Sequence, residues 1–258
     1  MSPNKDLAIV LRLSDFAETS QIATVFTAGH GQLRLIAKGA RRGTKTRFAA
    51  GLDLLEHGEL GFLPARGDAQ LGVLTDWQQR ASFAGLRRDL PRLYASLYAA
   101  ELVAGLTEEA DPHPELFAAL VHLLDSLTGE GAVGALVAWF QHVLLREIGY
   151  APVLTDCVEC GRRPARGAPV FFSAAAGGLL CRDCEVHHVD KRRISPRLLE
   201  PEGAPDPSAQ ATDAARYAGD PAGWFDLFDY YLTHLAGKRF KTAARLAELL
   251  ARGTQVRL

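Results

Sequence analysis

The residues best equipped for chemistry are the chain's four cysteines, Cys157, Cys160, Cys181 and Cys184. They form two C-x2-C pairs separated by 20 residues. Each pair turns on itself and presents two thiolates, and two such knuckles complete a tetrahedron. Zn2+ favours this donor set because it is d10, borderline soft and satisfied by four sulfurs. Four thiolates leave no open coordination position, so the expected role is structural: one ion per chain, stitching a segment of roughly 30 residues that otherwise lacks a core. A dithiol redox switch and a relic site with unfilled cysteines are the rival readings. His187 and His188 lie just beyond and read as loop histidines, since four thiolates already saturate the ion.

A second chemistry is offered by cations. Lys38, Arg41, Arg42, Lys45 and Arg47 place five positive charges in ten residues with no acid among them. Neighbouring glycines let backbone approach a ligand closely. Arg forks and Lys point charges suit phosphates, from which they displace counterions. A solvated charged loop is the plainer reading of the same run. Arg34 lies just upstream, and Phe48 is either a stacking surface or a core residue. Lys238, Arg239, Lys241 and Arg245 fall near the end of the last expected helix, with 238, 241 and 245 on one face by i, i+3, i+7 spacing. Those cations also suit the negative end of a helix dipole. Lys191-Arg192-Arg193 follows the cysteine segment, and Arg87-Arg88 opens the first expected helix.

No catalytic pattern accompanies these groups. The chain contains no G-x-x-x-x-G-K-[ST], H-E-x-x-H or G-x-S-x-G, and no sequence cluster of carboxylates that would hold Mg2+ for nuclease chemistry. The expectation is a protein that is not an enzyme.

The elements that must position these residues change character along the chain. From residue 6 to about 78 the pattern is that of strands. Leu7, Ile9, Leu11 and Leu13 share one face of a period-2 run, Ile22, Thr24 and Phe26 alternate with Ala23 and Val25, and Leu33 to Lys38 alternates again. A further strand pair flanks the Pro64–Asp68 turn. This predicts a small antiparallel barrel, although an SH3-like barrel or half of a sandwich would look similar. Helical periodicity then covers Arg87–Thr107, Glu115–Leu127 and Val133–Ile148, and a last helix follows Pro221. Residues 153–190 carry the cysteines with little periodicity. Pro201–Asp220, rich in Pro, Ala, Gly and Asp, reads as a mobile connection.

The whole composition fits this plan. With 258 residues, 48% apolar and 23% charged, the chain has the makings of one large or two small globular domains. That excludes disordered, collagen-like and disulfide-stapled classes. The most apolar run, Gly131–Leu145, is interrupted by Gln141 and His142, so no membrane span is expected. No signal-peptide pattern opens the chain, and a cytoplasmic protein is expected. The net charge of −1 hides a segregation: residues 1–50 carry +5, residues 51–156 carry −9 and residues 157–258 carry +3. The two ends therefore suit a polyanion and the middle does not.

Four blocks, in order, resemble the RecO recombination-mediator family. "RLSDFAETSQIATVFTAGHGQLRLIAKGARR" is similar to its opening barrel and "LRRDLPRLYASLYAAELVAGLTEEADPHPELFAALVHLLDSL" to its helical core. "LLREIGYAPVLTDCVECGR" with "FFSAAAGGLLCRDC" resembles its zinc-bearing insertion, and "HLAGKRFKTAARLAELL" its C-terminal helix. The resemblance implies an α+β multidomain protein: an N-terminal OB-fold barrel over 1–80, an α-helical domain over 81–152 and 191–258, and a zinc-binding segment over 153–190. Some members lack the cysteines; this chain keeps all four, so zinc is carried onto them. The resemblance further implies a nucleoid-associated DNA repair and recombination protein that binds single- and double-stranded DNA and anneals complementary strands. With RecR it would help load RecA onto strands coated by single-strand binding protein (SSB), whose C-terminal tail would dock in the helical domain. Arg34, Lys38, Arg41, Arg42, Lys45 and Arg47 are the expected primary DNA contacts, with Lys238, Arg239, Lys241 and Arg245 as a further set. Two other classes stay open: a zinc-ribbon adaptor that binds only proteins, and a metal-dependent nuclease assembled from dispersed carboxylates.

Overall fold

The computed structural model describes residues 2–16, 18–39, 52–65, 67, 70–165, 167–199 and 214–255. Arg41, Arg42, Lys45, Arg47 and Phe48 lie outside these, as does most of the Pro201–Asp220 stretch. The described chain forms two compact units, one comprising Met1–Asp89 and Ala99–Thr128, the other Leu90–Tyr98 and Gly129–Leu258.

In the first unit five strands, β1 (Asn4–Phe16), β2 (Ser20–Thr27), β3 (Gly31–Ala37), β4 (His57–Leu63) and β5 (Gly72–Ala81), close into a barrel of order β1-β2-β3-β5-β4. All pairs are antiparallel except β3–β5. This is the OB arrangement expected from the N-terminal block. Ala8, Val10, Ala23, Val25, Leu35, Ala37, Leu60, Phe62, Leu74 and Trp77 fill its interior.

The pattern in β1 is not the single face that its leucines suggest. The β1–β2 register shifts between Val10 and Arg12, a β-bulge that inverts the alternation. Ala8 and Val10 face the interior before the bulge and Leu13 packs on the core after it. Ile9 is fully buried outside that core, in a row with its cross-strand partners Phe26 and His57. Phe117 of α2 (Pro114–Ser126) covers this row, its ring 6.1 Å from Phe26 and 6.0 Å from His57. The β2–β3 turn locks against the loop before α2: a Cβ on Gly31 (φ 67°) would lie 2.2 Å from the Asp111 carbonyl oxygen, so only glycine fits there.

A 3-10 turn, Ala84–Arg88, precedes α1 (Leu90–Leu106). Arg87 and Arg88 thus sit in that turn and do not open the helix; Arg87 instead donates to the Asp53 carboxylate at 2.7 Å, within the first unit. Helix α1 contributes its first residues, to Tyr98, to the second unit and the rest to the first.

The second unit holds α3 (Val133–Glu147), α4 (Pro221–Ala236) and α5 (Ala243–Gln255). Pro221 starts α4 with a preset φ, and the Asp220 carboxylate caps it by accepting from Gly223 N at 3.0 Å. Gly237, in the left-handed region, stops it. The sequence pattern had run this helix on through Arg245; glycine at that point divides it in two. Helix α3 is apolar almost all round, because it is buried on nearly every side. Gln141, fully buried, donates to the Tyr98 hydroxyl at 2.9 Å, and that hydroxyl donates to Asp229 at 2.7 Å. No described helix is long and apolar enough to cross a membrane.

The cysteine segment has a sheet and a core of its own, which its weak periodicity concealed. Strands β6 (Val153–Cys157), β7 (Val170–Ser173), β8 (Gly178–Leu180) and β9 (Arg192–Ile194) order as β6-β8-β7-β9. Phe172, Leu179 and Leu180 are completely buried. Phe172 packs edge-on against Tyr231 of α4 at 5.4 Å. The Asp190 carboxylate accepts from the Tyr230 hydroxyl of α4 and, at 2.6 Å, from Ala175 N, so the cysteine segment and α4 share one set of bonds.

Candidate metal centre and nucleic-acid face

The parallel pairing of β6 with β8 brings the two C-x2-C pairs together, since Cys157 ends β6 and Cys181 directly follows β8. Each pair folds back as a turn: Gly161 N donates to Cys157 O at 2.8 Å, and Glu185 N donates to Cys181 O at 3.0 Å. The four sulfurs lie within 4.8 Å of one another. Cys160 Sγ and Cys181 Sγ are 3.8 Å apart, which matches the edge of a tetrahedron with metal–sulfur bonds of about 2.3 Å. These residues therefore fit a metal ion with four thiolate ligands.

The surroundings differ from one sulfur to the next. The Arg162 backbone N–H and guanidinium beside Cys160 hold its thiol down to about 6. Burial pushes the Cys157 thiol up, but N–H groups of Cys160, Cys181 and Glu159 outweigh it and the net direction is down. Burial pushes the Cys184 thiol up, so a cation is what allows that sulfur to share the site as a thiolate. The two histidines are not ligands. His187 Nδ1 lies 2.9 Å from Glu159 Oε1 and His188 Nε2 lies 2.8 Å from Glu159 Oε2, so one carboxylate inside the first knuckle ties down the turn after the second. Those two bonds hold the Glu159 carboxyl below its usual range. Arg162 and Asp183 link the knuckles again at 3.7 Å.

The sequence-derived cations separate into four groups. Arg34 is exposed on the outer face of β3, where its guanidinium stands 3.9 Å from Glu109, and Lys38 is exposed directly after β3. Arg41, Arg42, Lys45 and Arg47 belong to the connection that leaves β3 and lie outside the described residues. Lys238, Arg239 and Lys241 are exposed in the α4–α5 connection, while Arg245 belongs to α5 and pairs with Glu248 at 2.7 Å. Their expected common helix face therefore does not exist. Of the cations that follow the cysteines, Lys191 pairs with Glu185 and Arg192 with Asp226.

The structure adds a residue that sequence reasoning passed over. Arg12 pairs across the sheet with Thr24, and Thr24 pairs with Arg34, so two exposed arginines flank a threonine in one row. The leucine pattern of β1 already sets Arg12 opposite Leu13, but its place in one row with Thr24 and Arg34 follows from strand register, which sequence alone does not show. Among the described residues, the four cysteines are the one group of three or more His, Cys, Asp or Glu side chains arranged to hold a metal.

Comparison with known proteins agrees with this architecture. Residues 1–83 match the family described as Recombination protein O N terminal, and residues 87–200 match Recombination protein O C terminal. A protein of Rhodopirellula baltica named DNA repair protein RecO is 38% identical over 179 residues, 69% of this chain and 66% of that relative. Its namesake in Streptomyces griseus is 36% identical over 193 residues, 72% of this chain and 76% of the relative. The one in Myxococcus xanthus is 30% identical over 244 residues, covering 95% and 97%.

Proposed function

The chain belongs to the RecO family of DNA repair proteins, and from that premise we propose that it is a non-enzymatic mediator that holds and anneals DNA strands. The observation that carries this reading is the exposed cationic outer face of the barrel, Arg34 and Lys38, from which the five-cation connection departs. Two complementary strands repel through their phosphates. Cations that displace counterions from each strand lower that barrier without any catalytic residue. Arg34, Lys38, Arg41, Arg42, Lys45 and Arg47 make the primary contact, with Lys238, Arg239, Lys241 and Arg245 offering charge in the other unit. Binding of this kind is largely blind to sequence and strongly salt-dependent. Neutralising Arg41, Arg42 and Lys45 together weakens binding and flattens its salt slope.

The family resemblance supplies the setting: a cytoplasmic, nucleoid-associated protein that acts with RecR to load RecA onto SSB-coated single strands and receives the SSB tail in its helical domain. The metal is one structural Zn2+ held by Cys157, Cys160, Cys181 and Cys184. When bound it closes the two knuckles, and the Glu159 and Arg162 bonds orient them around it.

Annealing of complementary strands precoated with SSB tests the proposal. Acceleration that fades as salt rises is the expected result; no acceleration, with naked DNA also unbound, overturns it. A second reading, a protein-binding adaptor, draws on Val186 and Val189, which are 65% and 103% exposed after the second knuckle. Retained affinity for protein partners with no DNA binding would favour it. Labelled DNA incubated with Mg2+ or Mn2+ stays intact under either reading.

A further inference from the structure

The β1–β2 hairpin carries an aromatic ring where burial does not require one. Phe16, the last residue of β1, is 48% exposed. Beyond the bulge, residues of β1 alternate cleanly: Leu13 packs on the barrel core, so Arg12, Ser14 and Phe16 take the outer face. Successive rows across the sheet are Arg12–Thr24–Arg34, then Ser14–Ile22–Ile36, then Phe16–Ser20. Two exposed arginines therefore stand at one end of a partly apolar strip and an exposed ring at the other, about 13 Å apart at four strand residues. Lys38, also exposed, lies beyond Ile36 in the turn directly after β3. Asp15 alternates to the opposite side, where it accepts from Gln21 Nε2 at 3.5 Å. Glu18 sits in the turn past the ring, and Glu109 is the carboxylate beside Arg34.

We propose that this strip is a platform for single-stranded DNA, with Phe16 stacking on an unpaired base and Arg12 and Arg34 holding the flanking phosphates. The proposal rests on the DNA-binding reading above and adds to it the residues that select strand type. A cationic track with an aromatic side chain is what binding of single strands needs, because every base has a π-face. In OB barrels the strand 2–3 face and the loop between strands 1 and 2 offer that surface. A duplex hides its base faces inside the stack, so it meets the cations and gains nothing from the ring. The ring therefore discriminates while the arginines do not.

The test uses full-length, metal-loaded protein and fluorescence anisotropy with labelled oligo(dT) and a labelled duplex of equal length. Phe16→Ala is expected to weaken oligo(dT) binding about 5- to 100-fold, with duplex affinity little changed. Phe16→Tyr keeps the ring and is expected to restore selectivity. Arg12→Gln weakens both ligands and lowers the log–log salt slope by about 0.7 to 0.9. Unchanged single-strand affinity in Phe16→Ala overturns the proposal, as does an equal loss on both ligands that Phe16→Tyr fails to rescue. Failure of the wild-type protein to bind either ligand overturns the underlying DNA-binding reading instead.

Discussion

Arg34 and Glu109 stand 3.9 Å apart with side chains 43% and 54% exposed. An ion pair so open to water contributes about 0.2–1 kcal/mol at most. Glu109 is nonetheless held in place, because Ala110 N donates to Gln32 O at 3.0 Å on the same strand as Arg34. A phosphate approaching Arg34 must displace or tolerate this carboxylate. Glu109→Gln is therefore expected to leave thermal stability unchanged and to raise DNA affinity about two- to five-fold at low salt. Weaker binding in this variant would mean that Glu109 positions Arg34 and does not compete for it. At the metal centre the expectation runs the other way. Cys181→Ser should reduce bound zinc from one per chain to a small fraction, as read by metal analysis of protein purified without added metal. Full zinc occupancy with three cysteines would contradict four-thiolate ligation. The cysteines were legible from spacing alone, because C-x2-C geometry is local. The row of Arg12 with Arg34 was not, because it depends on strand register across β2, which leaves no mark in the residue pattern.

At the level of elements, α3 and α4 explain two polar residues that interrupted an apolar run in the sequence. Gln141 donates to the Tyr98 hydroxyl, which in turn donates to Asp229, and His142 stacks on Phe228 at 5.6 Å while its Nδ1 lies 2.6 Å from the Tyr217 hydroxyl. Burial, aided by Arg146, pushes His142 down to about 4, so the ring is neutral and the hydroxyl donates to it. The unfolded ring takes up its proton near 6.5, so between pH 6.5 and 4 the unfolded state binds more protons than the folded one. His142 therefore contributes stability that is fully present above pH 6.5 and lost as pH falls toward 4, about 3 kcal/mol in all. Urea unfolding across that range should show the slope in the wild type and a flatter one in His142→Gln; parallel profiles would remove His142 as its source. Helix existence and type followed from periodicity, since apolar stripes reflect burial directly. The break at Gly237 was missed because apolar and cationic residues resume at helical spacing after it, and the cysteine sheet was missed because three of its strands, β7, β8 and β9, have only three or four residues. That sheet bonds to α4 through Asp190 and Tyr230. Chelation is thus expected to lower the melting temperature and perturb the near-ultraviolet signal of the tyrosines on α4. An unchanged melt after complete metal removal would show that the sheet stands without its ion.

For the molecule as a whole, the net charge of −1 is uninformative because opposite charges are segregated along the chain. Residues 1–50, which include β1 to β3, carry +5 and residues 51–156, which include β4 and β5, carry −9, so a polyanion is attracted to part of the surface and repelled by another. Such a distribution favours contact through a defined face and gives steep salt dependence. The central claim is that the outer face of the barrel is where DNA is held by charge. Its most direct test is the slope of log K against log salt for single-stranded DNA, measured for the wild type and for Arg34→Gln/Lys38→Gln. Two lost phosphate contacts predict a slope shallower by about 1.4, together with weaker binding at low salt. An identical slope and affinity in the double variant would contradict the account and move the DNA off this face.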